Sequence, residues 1–222
     1  MRHIDRLPEP QILSKKKEEW QCKFEQKLAG NPKVRPDASK YGHEDIRKLL
    51  NVCSFNKCFY CESYLVGANQ EIDHYIEVAI EPSLAFEWTN LYLSCSNCND
   101  KLDHNSIPVT NVLNPCVDTD EEIKNHITFE KELICSQKAS EKGLKTIQKF
   151  RLSSQVLDLK RSKWLTKLTT KAIDIMNKMH EEHRTTYTQE EKDVICRFMQ
   201  KDQPYSLMCE VFIRKNLAWA IN

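Results

Sequence analysis

Residues 57–102 read KCFYCESYLVGANQEIDHYIEVAIEPSLAFEWTNLYLSCSNCNDKL, and this stretch decides the fold. It opens with the pair Cys58-x-x-Cys61 and closes with the pair Cys95-x-x-Cys98, with 33 residues between them. Four thiolates at this spacing can close a tetrahedral zinc site. Such a site has no open coordination position, so the predicted zinc is structural. Buried thiols, disulfides or a different metal are the alternatives.

The remaining cysteines stand singly in the sequence. We expect them to be unreactive buried thiols in mostly apolar settings, and they are Cys22, Cys53, Cys116, Cys135, Cys196 and Cys209. The start MRHIDRLPEP lacks the apolar core of a signal peptide, and no run approaches the ~20 apolar residues of a membrane span. We therefore expect a cytoplasmic protein with no membrane partner, whose paired cysteines bind metal.

Polar residues suited to hydrolysis lie between and just after the cysteine pairs. They are Asp73-His74, Asn90 within Trp88-Thr89-Asn90-Leu91, and Asn99 directly after the last cysteine. Phosphodiester hydrolysis needs a hard cation, a base for the attacking water and a group that orients the base. Together these residues supply each part, although each alone is a weak signal.

The order CxxC, DH, WxNLxLxC and CNxK over Cys58–Lys101 resembles the HNH endonuclease family, in the variant whose ββα-metal finger is braced by a tetracysteine zinc. The resemblance implies that Asp73 and Asn99 ligate a catalytic Mg²⁺ or Mn²⁺ and that His74 is the general base. It further implies that Asn90 fixes the loop and the imidazole by hydrogen bonds. Oxygen ligands favour Mg²⁺ or Mn²⁺ over Zn²⁺ at that centre.

The sequence also departs from that family pattern. Many relatives follow the histidine with an aromatic residue, a proline and a lysine, whereas this chain has Tyr75, Ile76 and Glu77. Glu77 is either an acid behind the metal ligands or, the favoured alternative, a solvent-facing residue. His104, one turn beyond Asn99 on a predicted helix, is an alternative metal ligand.

A longer resemblance involves the opening MRHIDRLPEP, the segment before the first cysteine pair and the NPCVD stretch near Asn114. These parts are similar to the PtuB-type HNH proteins of Septu and retron anti-phage systems. The resemblance implies an ABC-type ATPase partner, PtuA, and in retron versions a reverse transcriptase with its RNA-DNA product. It also implies a nuclease that stays inactive until phage infection disturbs the complex.

Charge is distributed unevenly along the chain, although the net charge is only +1. Residues 61–135 carry 3 Lys+Arg against 14 Asp+Glu, whereas residues 138–171 carry ten basic residues against two acidic ones. Within that basic stretch we expect Lys160, Arg161, Lys163 and Lys167 to contact phosphates of DNA or RNA. A solvated helix face that docks on an acidic partner or on the acidic finger is the equally weighted alternative.

The predicted fold class is α+β and mostly α-helical, with a small zinc-braced ββα finger set within helices from both termini. We divide the chain into an N-terminal helical segment (1–56), the finger (57–104), a connecting loop region (105–139) and a C-terminal helical region (140–222). Predicted helices cover about 15–28, 43–52, 140–150, 154–181, 188–201 and 206–219. Short strands are predicted near 64–66 and 71–75, with a helix starting near Asn99.

The sequence is compatible with two classes of function. A metal-dependent endonuclease is favoured, and a zinc-finger adaptor that binds nucleic acid or protein without catalysis is the alternative. A zinc deaminase needs His-x-Glu followed by Pro-Cys-x-x-Cys, which this sequence lacks. Redox chemistry at the cysteine pairs is disfavoured because zinc and hydrolysis explain the whole set. Only four glycines argue against an all-β fold and Gly-rich phosphate loops.

Overall fold

A computed structural model describes residues 1–65 and 70–221 of the chain. The predicted mostly helical α+β class is confirmed. The helices are α1 (Gln11–Gly30), α2 (Ala38–Tyr41), α3 (Glu44–Ser54), α4 (Ser96–Asn99), α5 (Asp120–His126), α6 (Glu141–Lys149), α7 (Gln155–Glu181), α8 (Gln189–Cys196) and α9 (Ser206–Asn216). The strands form two antiparallel pairs, β1 (Glu71–His74) with β2 (Leu91–Ser94) and β3 (Ile127–Glu130) with β4 (Leu133–Ser136).

The first helix is longer at its start than the sequence predicts. Helix α1 begins directly after Pro10, which is extended and gives no side-chain cap. Ser14 lies inside the helix, and its hydroxyl donates to the Glu9 carboxylate at 2.9 Å. Trp20 and Phe24 are buried and lie edge-on against Phe86, which anchors α1 beside the finger.

The segment that precedes the finger contains more helix than predicted. The short helix α2 lies between the first two predicted helices, and the Asp37 carboxylate caps it by accepting from the Ser39 amide. Helix α3 begins close to the predicted residue, with the His43 ring accepting from the Asp45 amide. Both helices start at a side chain that satisfies otherwise unpaired amide groups.

The finger is built on one hairpin and one short helix. Asp73 pairs with Tyr92 and His74 with Leu91 in the β1–β2 register. The sequence did not predict the partner strand β2. All four of its residues are buried, so it lacks the alternation of apolar and polar residues that marks a half-buried strand. The strand predicted at 64–66 is only a single bridge between Tyr64 and Lys57, and residue 66 lies outside the described part.

Helix α4 ends at Asn99, whereas the sequence predicted a helix starting there. The amide groups of Cys98 and Asn99 donate to the Cys95 carbonyl at 3.1 and 2.9 Å. These bonds wrap the helical turn around the second cysteine pair. Asn99 therefore lies at the C-terminal end of the turn, and the residues after it follow a loop path.

Residues 105–139 are not the simple connecting loop that was predicted, because they hold α5, β3 and β4. Helix α5 begins with a capping box in which Thr119 and Glu122 bond each other's backbone amide groups. The Thr-x-x-Glu spacing was a usable signal for this helix. The hairpin β3–β4 packs against α6 and α9, so this region joins the finger to the C-terminal helices.

The C-terminal helical region agrees well with the sequence. Helices α6 and α7 match their predicted bounds within one residue, and a capping box between Thr188 and Glu191 opens α8 at the predicted place. Helices α8 and α9 end earlier than predicted, and a 3-10 turn follows each of them, Arg197–Met199 and Ala218–Ala220.

The buried carboxylate of Glu62 in the finger contacts both the N-terminus and helix α9. The N-terminal ammonium of Met1 lies 2.8 Å from the Glu62 carboxylate, between the first cysteine pair and the hairpin. Glu62 also accepts hydrogen bonds from the backbone amide and the hydroxyl of Ser206 in α9. Helix α1 contacts the finger at Phe86 and helix α9 contacts it at Glu62, so helices that precede and follow the finger both pack on it. None of the helices in the described ranges is long and apolar enough to cross a membrane.

Candidate metal centre and catalytic cavity

The four paired cysteines form one buried cluster. Their sulfur atoms all lie within 4.8 Å of one another, and the Sγ atoms of Cys61 and Cys95 are 3.7 Å apart. A tetrahedron with Zn–S bonds of ~2.3 Å has edges of about 3.8 Å, so this arrangement fits zinc. Turns hold the cluster, since the Cys58 amide donates to the Ser63 carbonyl at 2.9 Å. The predicted tetracysteine site is confirmed as a cluster suited to structural zinc.

The single cysteines are less uniform than the sequence suggested. Cys53 and Cys209 are buried, and Cys116, Cys135 and Cys196 are half-buried. Cys22 is exposed on the outer side of α1, so the prediction of a buried thiol was wrong there. The polar neighbours of Cys22 along α1 place it on the solvent side of that helix.

Asp73 lies on β1 and is buried, with 6% of its surface exposed. Its Oδ2 atom accepts a hydrogen bond from the Tyr60 hydroxyl at 2.6 Å. The Lys101 ammonium donates to Oδ1 at 2.9 Å and to Oδ2 at 2.8 Å. Burial raises the pKa of Asp73, and the attraction of Lys101 limits that rise. The sequence motif contained Lys101, but sequence reasoning missed its contact with the acid.

His74 has a fixed ring orientation. Its Nε2 atom lies 2.9 Å from the carbonyl oxygen of Ala85. Because a carbonyl only accepts, Nε2 carries the hydrogen and Nδ1 keeps a free lone pair in the neutral ring. The Tyr41 ring packs edge-on at 4.7 Å between centroids. Burial lowers the pKa of His74 to about 4, although the Ala85 carbonyl opposes this, so the ring is neutral at pH 7.

Asn90 is buried and holds the loop that follows His74. Its Oδ1 accepts from the Ile76 amide at 2.7 Å, and its Nδ2 donates to the carbonyls of Ile76 at 3.0 Å and Leu84 at 3.2 Å. The family resemblance also implied a bond from Asn90 to the imidazole. That part was wrong, because the Ala85 carbonyl holds the ring.

The residues beneath this loop are packing residues in the structure. Trp88 and Leu91 are buried, and the Trp88 indole nitrogen donates to the Leu7 carbonyl at 2.8 Å. Arg6 stacks over Trp88 and donates to the carbonyls of Trp88 and Leu91. The N-terminal segment thereby supports the hairpin that carries Asp73.

Asn99 is placed by α4 on the wall of the cavity that Asp73 also lines. Its Nδ2 donates to the Glu71 carboxylate, which leaves the amide oxygen of Asn99 available as a ligand. A cavity of about 920 Å³ brings together Asp73, His74, Asn99 and Lys101. The carboxylate and the amide oxygen fit a hard divalent cation, although the ammonium of Lys101 already binds both oxygens of Asp73.

Glu77 and His104 line the same cavity, where Glu77 departs from its favoured solvent-facing interpretation and His104 from its predicted place on a helix. The Glu77 carboxylate is not solvent-facing, because its Oε1 accepts from the fully buried Lys149 ammonium at 2.5 Å. His104 lies beyond the end of α4, so it does not sit one helical turn from Asn99. Its Nδ1 atom is 4.0 Å from Oε2 of Glu77.

The segment before α3 forms the opposite wall of the cavity, which sequence reasoning missed. Lys33, Arg35 and Tyr41 contribute to this wall together with apolar residues of α1. Lys33 and Arg35 are exposed, and neither has a carboxylate within ion-pair distance in the described part of the chain. Two basic residues flanked by Pro32 and Pro36 were the available signal, since such a rigid segment can present cations to phosphates.

Of the four basic residues predicted to contact nucleic acid, three are exposed and one is buried. Lys160, Lys163 and Lys167 are exposed on α7. Arg161 is 1% exposed, its guanidinium donates to the Leu152 carbonyl at 2.8 Å, and it lies over the Phe129 ring. The prediction that Arg161 contacts nucleic acid was therefore wrong, because the hydrophobic face of α7 carries it into the core.

Comparison with known proteins agrees with this geometry. Residues 58–105 match the HNH endonuclease family. The thiolate cluster, the β1–β2 hairpin and the polar residues after it, taken with this match, define that segment as an HNH endonuclease domain.

Similarity extends beyond the domain to Septu protein PtuB of two bacilli. The protein from Bacillus mycoides (strain KBAB4) is 28% identical over 169 residues, covering 62% of this chain and 56% of that protein. The protein from Bacillus thuringiensis is 35% identical over 91 residues, covering 40% of this chain and 34% of that protein. The matched region thus spans about half the relatives' length or less, and it supports an HNH protein of the PtuB type.

Proposed function

We propose that this protein is a metal-dependent endonuclease that hydrolyses phosphodiester bonds of nucleic acid. One observation carries the proposal: Asp73, His74 and Asn99 line a single cavity, with the His74 ring fixed so that Nδ1 has a free lone pair. A carboxylate, a base and an amide oxygen around one space are the parts that phosphodiester hydrolysis requires.

In this proposal His74 is the general base. Its Nδ1 accepts a proton from the attacking water, and the Ala85 carbonyl stabilises the imidazolium that forms. Asn90 acts at a distance by fixing the loop between His74 and Leu84. Asp73 and Asn99 would hold a Mg²⁺ or Mn²⁺ ion, which supplies charge stabilisation at the phosphate when bound. Zinc in the cysteine cluster is structural.

We further propose that the protein works in the cytoplasm as the effector of a Septu anti-phage system. The similarity to the two Septu PtuB proteins and the longer sequence resemblance support this assignment. The expected partner is PtuA, an ABC-type ATPase, and a retron reverse transcriptase with its RNA-DNA product is a further candidate. The nucleic acid, DNA or RNA, would reach the cavity past Lys33 and Arg35, with Lys160, Lys163 and Lys167 as a second contact surface.

A non-catalytic adaptor is the second candidate, and one contact favours it. Both oxygens of Asp73 bind the Lys101 ammonium, so the acid and the lysine also make a complete structural ion pair without any metal. In that case the finger only presents a surface for nucleic acid or for a partner protein. The two candidates differ in whether any metal-stimulated cleavage occurs.

The test is cleavage of plasmid, single-stranded DNA and total RNA with Mg²⁺ or Mn²⁺, alone and with the co-expressed ATPase. We expect wild-type protein to cut at least one substrate and His74→Ala to lose that activity. His180→Ala is the matched control, because His180 is exposed on α7 away from the cavity. Absence of cutting under every condition, with zinc bound and the ATPase present, would favour the adaptor.

A further inference from the structure

The ammonium of Lys101 lies among four oxygen atoms. It donates to Oδ1 and Oδ2 of Asp73 at 2.9 and 2.8 Å, to the Tyr75 carbonyl at 3.1 Å and to the His74 carbonyl. Its side chain is only 6% exposed, so water contributes little to this environment. Two of these oxygens belong to Asp73, the proposed metal ligand, and a third is the backbone carbonyl of His74, the proposed general base.

This set of oxygens resembles the shell of a hard metal ion more than an ordinary lysine contact. An ammonium has three hydrogens, so four acceptors exceed what it can satisfy by separate hydrogen bonds. Two carboxylate oxygens and two backbone carbonyls are ligand types that divalent cations take. The Tyr60 hydroxyl already uses one lone pair of Oδ2. Little of Asp73 is therefore left for an additional cation.

We propose that Lys101 is a built-in competitor of the divalent metal. Its ammonium holds the cation position beside Asp73 in the metal-free protein, and the metal binds by displacing it. Two cations within a few ångström of each other in a buried site repel strongly, so they exclude each other there. The inference rests on the proposed metal site, and it adds that Lys101 weakens metal binding while stabilising the metal-free finger.

Lys149 provides a matched comparison in the same cavity neighbourhood. It is also a buried lysine, and its ammonium binds the Glu77 carboxylate. The Lys149 ammonium donates its hydrogen bond to Glu77 and not to Asp73 or Asn99. Replacing either lysine removes a buried ion pair, but only the replacement of Lys101 removes a charge from the proposed metal position.

The experiment measures Mn²⁺ binding to the full chain with zinc bound, by calorimetry and by electron paramagnetic resonance. We expect Lys101→Met to bind Mn²⁺ about tenfold or more tightly than wild type and to melt at lower temperature without Mn²⁺. Lys149→Met should also melt lower, with unchanged Mn²⁺ affinity. Equal or weaker Mn²⁺ binding by Lys101→Met would overturn the inference.

A second measurement on wild-type protein covers the case in which Lys101→Met fails to fold. Reductive methylation followed by mass spectrometry reports how accessible each lysine ammonium is. Saturating Mn²⁺ should increase methylation of Lys101 and leave Lys149 protected. Unchanged or reduced methylation of Lys101 would overturn the proposal. Displacement of Lys101 without any cleavage would instead leave the inference standing and count against the nuclease.

Discussion

The finger holds the cysteine cluster and one wall of the proposed catalytic cavity, yet the two sites are built in opposite ways. The cluster consists of four identical ligands that face one another in a buried space. The cavity is open and lined by groups of both charges, and partners from other parts of the chain fix two of its central groups, since Ala85 fixes His74 and Lys101 holds Asp73. The first arrangement suits stability, and the second leaves room for a substrate.

The largest expected effect comes from breaking the cluster. Cys98→Ser removes one of four zinc ligands, and structural zinc in small fingers contributes ~10–16 kcal/mol, comparable to the whole stability of a domain. We expect loss of bound zinc and of cooperative unfolding, measured by atomic absorption and thermal denaturation.

Cys22→Ser is the matched control for this change, since Cys22 is an exposed cysteine on α1. It should keep both the zinc content and the melting temperature of wild type. Normal zinc content and normal cooperative unfolding in Cys98→Ser would show that the cluster is not the support of the fold.

A change at Asn90 should damage the cavity and spare the cluster. Asn90→Ala leaves the amide and the carbonyl of Ile76 without their partner, whereas the Leu84 carbonyl keeps the Glu87 amide, and each buried unsatisfied group costs about 1–3 kcal/mol. We expect a lower free energy of unfolding by urea, slower cleavage and unchanged zinc. Zinc loss in Asn90→Ala would mean that the two sites are not separable.

Acid should weaken a third kind of contact, in which a carboxylate accepts hydrogen bonds from cationic side chains. Burial would raise the pKa of Glu210, but Lys124 and Arg2 lower it to about 2. The ordinary value is 4.5, so this carboxylate stabilises the fold above pH 4.5 and loses its contribution as pH falls toward 2.

Glu210→Gln tests that contact. The variant should be less stable than wild type at pH 7, and the difference should shrink below pH 4.5, as urea unfolding at several pH values will show. A constant difference between the two proteins across this range would exclude the linkage.

The smallest effect is expected at the exposed lysines of α7. Reversing Lys160, Lys163 and Lys167 to glutamate should lower nucleic-acid affinity and reduce its dependence on salt, because fewer counterions are released. Stability should stay within about 0.5 kcal/mol, as is usual for surface changes. Fluorescence anisotropy at several salt concentrations measures both quantities. If nucleic-acid affinity and its salt dependence stay unchanged, the basic face of α7 instead docks on an acidic partner or on the acidic finger.

The cluster was predictable from sequence because its ligands come in local pairs whose spacing fixes their geometry. The C-terminal helices were predictable because their hydrophobic periodicity and the Thr188 capping box are local signals. The contacts of the cavity were not predictable, since the bonds of His74 to Ala85 and of Asp73 to Lys101 depend on how distant loops pack. The burial of Arg161 was not predictable for a similar reason. A charged residue is expected at the surface, but Arg161 lies on the buried face of α7.

Imidazole rescue of His74→Ala, with zinc measured on the same sample, tests the central claim most directly. The account predicts that this variant retains full zinc, cuts nucleic acid about 10²–10⁴-fold more slowly than wild type, and regains part of its rate when free imidazole is added. His74→Ala cutting at the wild-type rate with zinc bound would contradict the assignment of His74 as the base of the cavity.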